Sequence, residues 1–374
     1  MNMVSLESSS IMKITHITLA ELKSPLPRPL RLGPVEIRTR DYVAVRIETD
    51  SGITGYALGY PRGTPLIESI SRVASGLIGS DPLLRRASLQ AFEEANATSR
   101  PFYSRAISLL DIALWDIAAK AAELPLYRML GGLRQKVPVT AVAGYYMDVR
   151  SIAEIADEVS RRIDEGYSRV KVMLKGDDPA YDLEYVRAVS ERAPGRVAAD
   201  AHWSWSSMTH ALKFCNQVDD AGLAFLEDPF SPQDVELSAA LQTRLLTPIA
   251  AGEDVSDARS IGRLAQGVSV LRVDATTCGG ITGALTAIAA AHFGGCTVLP
   301  HVFAPLHVHL ACAFPQVEGV EWIPSGSGAD PLNSFLRTPI TIEDGHLAVS
   351  EEPGVGLDLD WDSIEENATQ RANL

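Results

Sequence analysis

The 374-residue chain has only four cysteines, Cys215, Cys278, Cys296 and Cys312, and no two of them form a C-x-x-C. That excludes a disulfide scaffold and leaves buried free thiols in a reducing compartment as the expectation. Positive charge is scarce as well: 33 Lys and Arg stand against 47 Asp and Glu, a formal net charge of −14. With no Lys/Arg cluster, nucleic acid is excluded as a partner, and any attraction for an anionic substrate has to be local. No G-x-G-x-x-G follows a first strand, which removes the dinucleotide-binding reading. A long membrane-type run is missing too. Gly279 to Cys296 carries no Asp, Glu, Lys or Arg, but it is mainly Gly, Ala and Thr, contains His292 and lies between two strand signals. It reads as a buried helix, and no membrane partner is expected. The opening MNMVSLESSS lacks the charged start and apolar core of a signal peptide, so residues 1–11 read as a disordered tail and the protein as cytoplasmic.

What the chain does have is a series of functional side chains closing short apolar runs between Val197 and Trp322. VAAD ends at Asp200, AFLE at Glu227, IAAGE at Glu253, VLRVD at Asp274 and TVLPH at His301, and GVEW brings Glu321. The intervals are 27, 26, 21, 27 and 20 residues, close to what one strand and one helix consume in a βα barrel. An isolated acidic residue after an apolar run is usually a helix cap. Six such groups at near-constant spacing read instead as one set aimed into a barrel mouth, because barrel active sites sit where strands end.

The rest of the chain agrees with that frame. Tyr42 to Glu48 alternates as a half-buried strand and turns through Asp50-Ser51-Gly52 into ITGYALGY, an expected hairpin. KSPLPRPLRLGPVEIRTRD before it lacks periodicity and reads as a long loop, the kind that often acts as a lid. SRAISLLDIALWDIAAKAAEL has helical spacing and ends at Pro125. These elements predict an α+β module over residues 12–133. From Val137 strand and helix signals alternate, which predicts a barrel domain over 134–338. PITIEDGHLAV and LDLDW look like short strands for which a filled barrel has no use. The segment 339–374 is therefore expected to return to the first module.

Three carboxylates suit a hard divalent cation such as Mg²⁺, which takes oxygen ligands. An Asp followed one βα unit later by a His suits an oriented general base. In VKVMLK the strand period of two points Lys171, Met173 and Lys175 the same way. An inward lysine is costly without a carboxylate or substrate anion beside it, so Lys171 is a candidate site residue. His202, on the same face as Asp200, either donates a hydrogen bond to substrate or caps the following helix.

At these residues the chain resembles the enolase superfamily, in its mandelate racemase type. The resemblance runs from Met12 to Asp360 through LDIALWDIAAK, LYRMLGG, GYSRVKV, FLEDP, AGED, CGGITG, LPHVF, DGHLAV and PGVGLDLD. It implies an α/β fold: a modified (β/α)7β TIM-like barrel with an α+β N-terminal capping domain completed by the C-terminal segment. It implies Asp200, Glu227 and Glu253 as Mg²⁺ ligands and Asp274 with His301 as the catalytic dyad. Glu321 would hydrogen-bond the substrate carboxylate, in a neutral form favoured by its surroundings. The usual Lys-x-Lys of the second strand is broken, since Met173 stands where the second lysine belongs; Lys175 could replace it only if the strand bulges. The expected reaction is abstraction of the α-proton of a carboxylate substrate through an enediolate, leading to dehydration of a sugar acid to a 2-keto-3-deoxy acid. The alternative is a racemase or epimerase using His301 with Lys171 or Lys175, and a third reading is a metal-binding pseudoenzyme. The resemblance also implies a homo-oligomer. Specificity is expected in the capping loops around Leu22–Tyr42 and Gly59–Pro65, where arginines could meet a second carboxylate or hydroxyls.

Overall fold

The computed structural model describes residues 11–33 and 35–374. The reading of a disordered tail therefore falls, but for Ile11, outside the described residues. Strands β1 (Ile14–Leu32), β2 (Val35–Thr49) and β3 (Thr54–Gly59) form an antiparallel sheet. The ring of the barrel contains β4 (Lys136–Ala143), β5 (Arg169–Met173), β6 (Val197–Asp200), β7 (Phe225–Glu227), β8 (Ile249–Ala251), β9 (Val270–Val273), β10 (Thr297–Pro300) and β11 (Val320–Trp322). They pair in parallel in the order β10-β9-β8-β7-β6-β5-β4-β11. Val298 closes the ring, donating to Gln316 O at 2.9 Å and accepting from Glu318 N at 3.0 Å.

Four of the seven connecting helices begin where short polar side chains take up free amide donors. Ser151 and Glu154 form a capping box, and Asp178, Ser207 and Asp257 each accept from an amide of the first turn. The uncharged stretch forms the helix Gly280–Gly294 between β9 and β10. No helix among the described residues is long and apolar enough to cross a membrane.

Two expectations need correction. The Pro-rich segment is not a loop: β1 and β2 pair along almost their whole length, with a register shift between Pro25 and Leu30. Backbone bonds hold this extension, so no apolar alternation announces it. Its turn at Gly33 (φ +54°) rests on the barrel mouth, where a Cβ would lie 2.8 Å from His202 O. The C-terminal segment also divides its contacts. β12 (His346–Ala348) pairs antiparallel with barrel strand β4, not with the capping sheet, and LDLDW leads into the helix Trp361–Asn367. β13 (Gln370–Asn373) makes the return, pairing with β1.

The long helix Ser104–Ala121 joins the two layers. Its Asp111 accepts from Thr282 N at 2.9 Å and Thr282 Oγ1 at 2.7 Å, and Ser108 Oγ accepts from Gly279 N at 2.8 Å. The first turn of the barrel helix Gly280–Gly294 is thus capped by the other module. All four cysteines are free and buried.

Candidate active site

Parallel register brings the strand-end groups into one layer. Met173 is level with Asp200, and Asp200 with Glu227. Strand alternation then turns Lys171, Asp200, Glu227, Arg272, Asp274 and Glu321 inward. Lys171 Nζ lies 3.1 Å from Asp200 Oδ2, 3.0 Å from Glu227 Oε2 and 2.8 Å from Glu321 Oε1. Burial works against its charge, but Glu227, Glu321 and Asp200 hold its pKa well above the usual lysine value.

Arg272 is the group that the sequence reading missed. It is fully buried, and its Nε donates to Glu227 Oε1 at 2.8 Å, Nη2 to Glu321 Oε2 at 2.7 Å and Nη1 to Leu299 O at 3.0 Å. The signal was available: in VLRVD the period of two puts Arg272 on the face of Asp274. Arg272 and Lys171 together overturn the expected neutral Glu321. Burial pushes that carboxyl up, but the two cations more than compensate and hold it below its ordinary value. Glu321 is an ionised acceptor here.

His301 Nδ1 and Asp274 Oδ2 are 2.9 Å apart, while Nε2 lies 3.4 Å from Glu253 Oε1. Burial would raise the Asp274 pKa, yet the bond to His301 brings it down to about 2. Asp274 Oδ1 also accepts from the Thr276 amide at 2.7 Å. The dyad therefore has one ring nitrogen fixed by an anion and the other turned towards the carboxylates.

Among the described residues, the carboxylate oxygens that come mutually within 4.8 Å belong to Glu227, Asp228 and Glu253. Asp200 instead directs Oδ2 to Lys171 and accepts from His202 N through Oδ1 at 2.9 Å. Asp228 should point away from Glu227 by strand alternation, but its φ of +42° turns it back. Burial first, then Glu227, raises the pKa of both Asp228 and Glu253 well above the carboxylate range. Glu227 Oε2 and Glu253 Oε2 make no hydrogen bond; the Lys171 contact to the former is a charge contact without hydrogen-bond geometry. Crowded, buried, unsatisfied carboxylate oxygens are what a hard cation would satisfy, so the donor set fits Mg²⁺.

Leu32, Arg40, Tyr60, Arg62, Val142, Tyr145, Met173, His202, Val302 and Ile323 surround these groups, lining a cavity that is partly open to solvent. Arg62 lies 3.3 Å from Glu253 Oε1. His202 is buried and stacked on Trp203 at 4.3 Å. Burial lowers its pKa, and the cap of the next helix is Ser207, so His202 faces the cavity. Lys175 is outside it. The strand ends at Met173, so the alternation stops there; Lys175 Nζ lies over the Tyr181 ring at 3.9 Å and 3.8 Å from Asp148. It is not a substrate-binding residue in this structure.

The mouth also concentrates left-handed backbone at non-glycine residues. His202, Trp203, Asp228, Val302 and Phe303 have φ of +44°, +63°, +42°, +36° and +42°. Each follows Asp200, Glu227 or His301 within three positions, and each such conformation costs roughly 1–3 kcal/mol. The barrel holds its functional ends in place against that strain.

Comparison with known proteins agrees with this geometry. Residues 154–363 match the family described as enolase C-terminal domain-like, and residues 14–131 match the mandelate racemase / muconate lactonizing enzyme N-terminal domain. The chain is 28% identical to the arabinonate dehydratase of Saccharolobus solfataricus, covering 87% of this chain and 89% of that one. It is 27% identical to the L-talarate/galactarate dehydratase of Salmonella typhimurium, covering 87% and 79%. The crystal structure of L-talarate dehydratase from Polaromonas sp. JS666, complexed with Mg and L-glucarate, superimposes with a TM-score of 0.86 at 28% identity over 97% of this chain and 99% of that one. The relatives are enzymes, and they include cycloisomerases and racemases beside sugar acid dehydratases. Both matched regions together span the capping and barrel layers, and the chain belongs to the mandelate racemase/muconate lactonizing enzyme family of the enolase superfamily.

Proposed function

We propose that this chain is a Mg²⁺-dependent acid-sugar dehydratase in which Glu227 and Glu253 would hold the cation together with Asp200, whose Oδ2 would give up its contact with Lys171 to do so. His301 is the base, Asp274 orients it, Lys171 and His202 face the substrate carboxylate, and Glu321 accepts from a substrate hydroxyl. Mg²⁺, when bound, offsets the charge that builds on the substrate carboxylate oxygens as the α-proton leaves. His301 Nε2 takes that proton, and Asp274 holds the opposite nitrogen and supports the imidazolium. The β carbon–oxygen bond then breaks, its electron pair and the proton from His301 leaving as water. The resulting enol tautomerises to a 2-keto-3-deoxy acid.

The observation that carries this reading is the one-sided supply of bases. Met173 lines the same cavity as His301, from a strand that does not neighbour β10, and a thioether accepts no proton. Lys175 is turned onto Tyr181, and the Lys171 amine is engaged by three carboxylates. A racemase needs a second base, whereas dehydration needs one.

In D₂O, α-proton exchange is therefore expected from one face only, with keto acid as product and no epimer. Lys175→Ala should leave the exchange rate nearly unchanged. Accumulation of deuterated epimer, lost on replacing either lysine, would turn the assignment to a racemase. For the cation, EDTA should abolish turnover and Mg²⁺ restore it. Glu227→Gln should weaken Mg²⁺ binding in calorimetry by about 10-fold or more. Full activity in EDTA would remove the metal from the mechanism.

A further inference from the structure

Arg40 is a buried guanidinium with no ion pair among the described residues. It lies on β2, two positions from Tyr42, so both side chains leave the strand on the same face. Its Nε and Nη2 donate to the backbone oxygen of Ala329 at 3.1 and 3.0 Å. Among the described residues no carboxylate comes within 4.0 Å of it, although the residue is only 8% exposed. Asp330 balances its charge at longer range, but that carboxylate is already taken by the hydroxyls of Tyr42 and Tyr60 and by the Leu332 amide. A buried cation without a bonded anion is unfavourable unless a ligand supplies one. Arg40 lines the same cavity as His301, Glu253 and Lys171. The Tyr60 ring neighbours both groups, 5.4 Å from the Arg40 guanidinium carbon and 6.4 Å from the His301 ring. Tyr145 joins Arg40 in that wall.

We infer that Arg40 receives a second carboxylate at the far end of the substrate, so that the acid sugar dehydrated here is a diacid and not a monoacid. The Arg62 guanidinium is the less suitable receptor, because it is already beside Glu253. This inference rests on the dehydratase reading for the reacting end, but it is read by binding as well as by turnover.

The test compares six-carbon aldaric acids with the aldonic acids of matching configuration, which carry CH₂OH in place of the distal carboxylate. Calorimetric titration of the Mg²⁺-loaded protein and kcat/KM should both favour one diacid over its monoacid by about 10- to 100-fold, the range of a charge-assisted bidentate contact. Arg40→Gln should lower diacid affinity by a similar factor, through KM more than kcat, and collapse the preference; Arg40→Lys should restore part of it. Equal binding of diacid and monoacid by the wild type overturns the inference, even if dehydration is observed. Diacid preference in binding without dehydration keeps it and removes the dehydratase reading. Should Arg40→Gln fail to fold, as judged by circular dichroism, the wild-type preference and Arg40→Lys decide.

Discussion

Replacing His301 by Asn should lower kcat/KM by about 10²–10⁴-fold, the usual contribution of a positioned proton-transfer group. Asn keeps a polar head of similar reach, and the carboxylate and arginine contacts that bind substrate are untouched, so affinity should largely survive. The loss would then sit in kcat, the signature of an interaction made only in the transition state. Asp274→Asn should also slow the reaction. Without the anion 2.9 Å from Nδ1 the imidazole has no reason to keep Nε2 free for the substrate. Because the Asp274 carboxyl is held down near pH 2, its support of His301 is constant at any working pH and adds no limb to the pH–rate profile above about pH 4. The measurement is deuterium uptake at the substrate α-carbon. Uptake by His301→Asn at the wild-type rate would refute the assignment.

Arg272→Met should destabilise the protein by about 3–5 kcal/mol, the cost of removing one partner from a buried ion cluster. The change leaves Glu227 and Glu321 facing each other with Lys171 as their remaining cation, and strips Leu299 O of its donor. Methionine fills much of the volume, so the loss is electrostatic and not a cavity. Urea unfolding of wild type and variant gives the difference directly. Adding Glu321→Gln should recover part of it by removing one uncompensated charge. An Arg272→Met protein as stable as the wild type would show that the cluster contributes nothing to the fold.

The barrel was legible because each strand is short, apolar and closed by a polar group that cannot be buried cheaply. Asp200, Glu227, Asp274 and His301 announce their own positions in this way. Arg272 obeyed the same alternation as Lys171 and could have been found by it. The stretch that holds Arg40 was expected to set specificity, but Arg40 itself could not be singled out, because its direction depends on the hairpin β1–β2. That hairpin is held by main-chain bonds through prolines and charged residues, which leave no period in the sequence. Lys175 was misplaced because alternation was extended two residues beyond the end of β5. The charge of Glu321 depends on two cations from strands β5 and β9, distant in sequence, and no local pattern reports that. Asp228 enters the carboxylate cluster through a left-handed φ that an Asp can adopt but does not advertise.

The pairing of β13 with β1 has a consequence for biosynthesis. Thr369 bonds Glu21 across 348 positions of sequence. At roughly 5–20 residues per second on the ribosome, the edge of β1 waits for some tens of seconds until the strand that covers it has been made. An uncovered edge strand is a template for other chains during that interval. The nascent capping sheet is therefore the part of this protein most exposed to misassociation. Slower elongation anywhere between β3 and β13 should therefore lower the soluble yield.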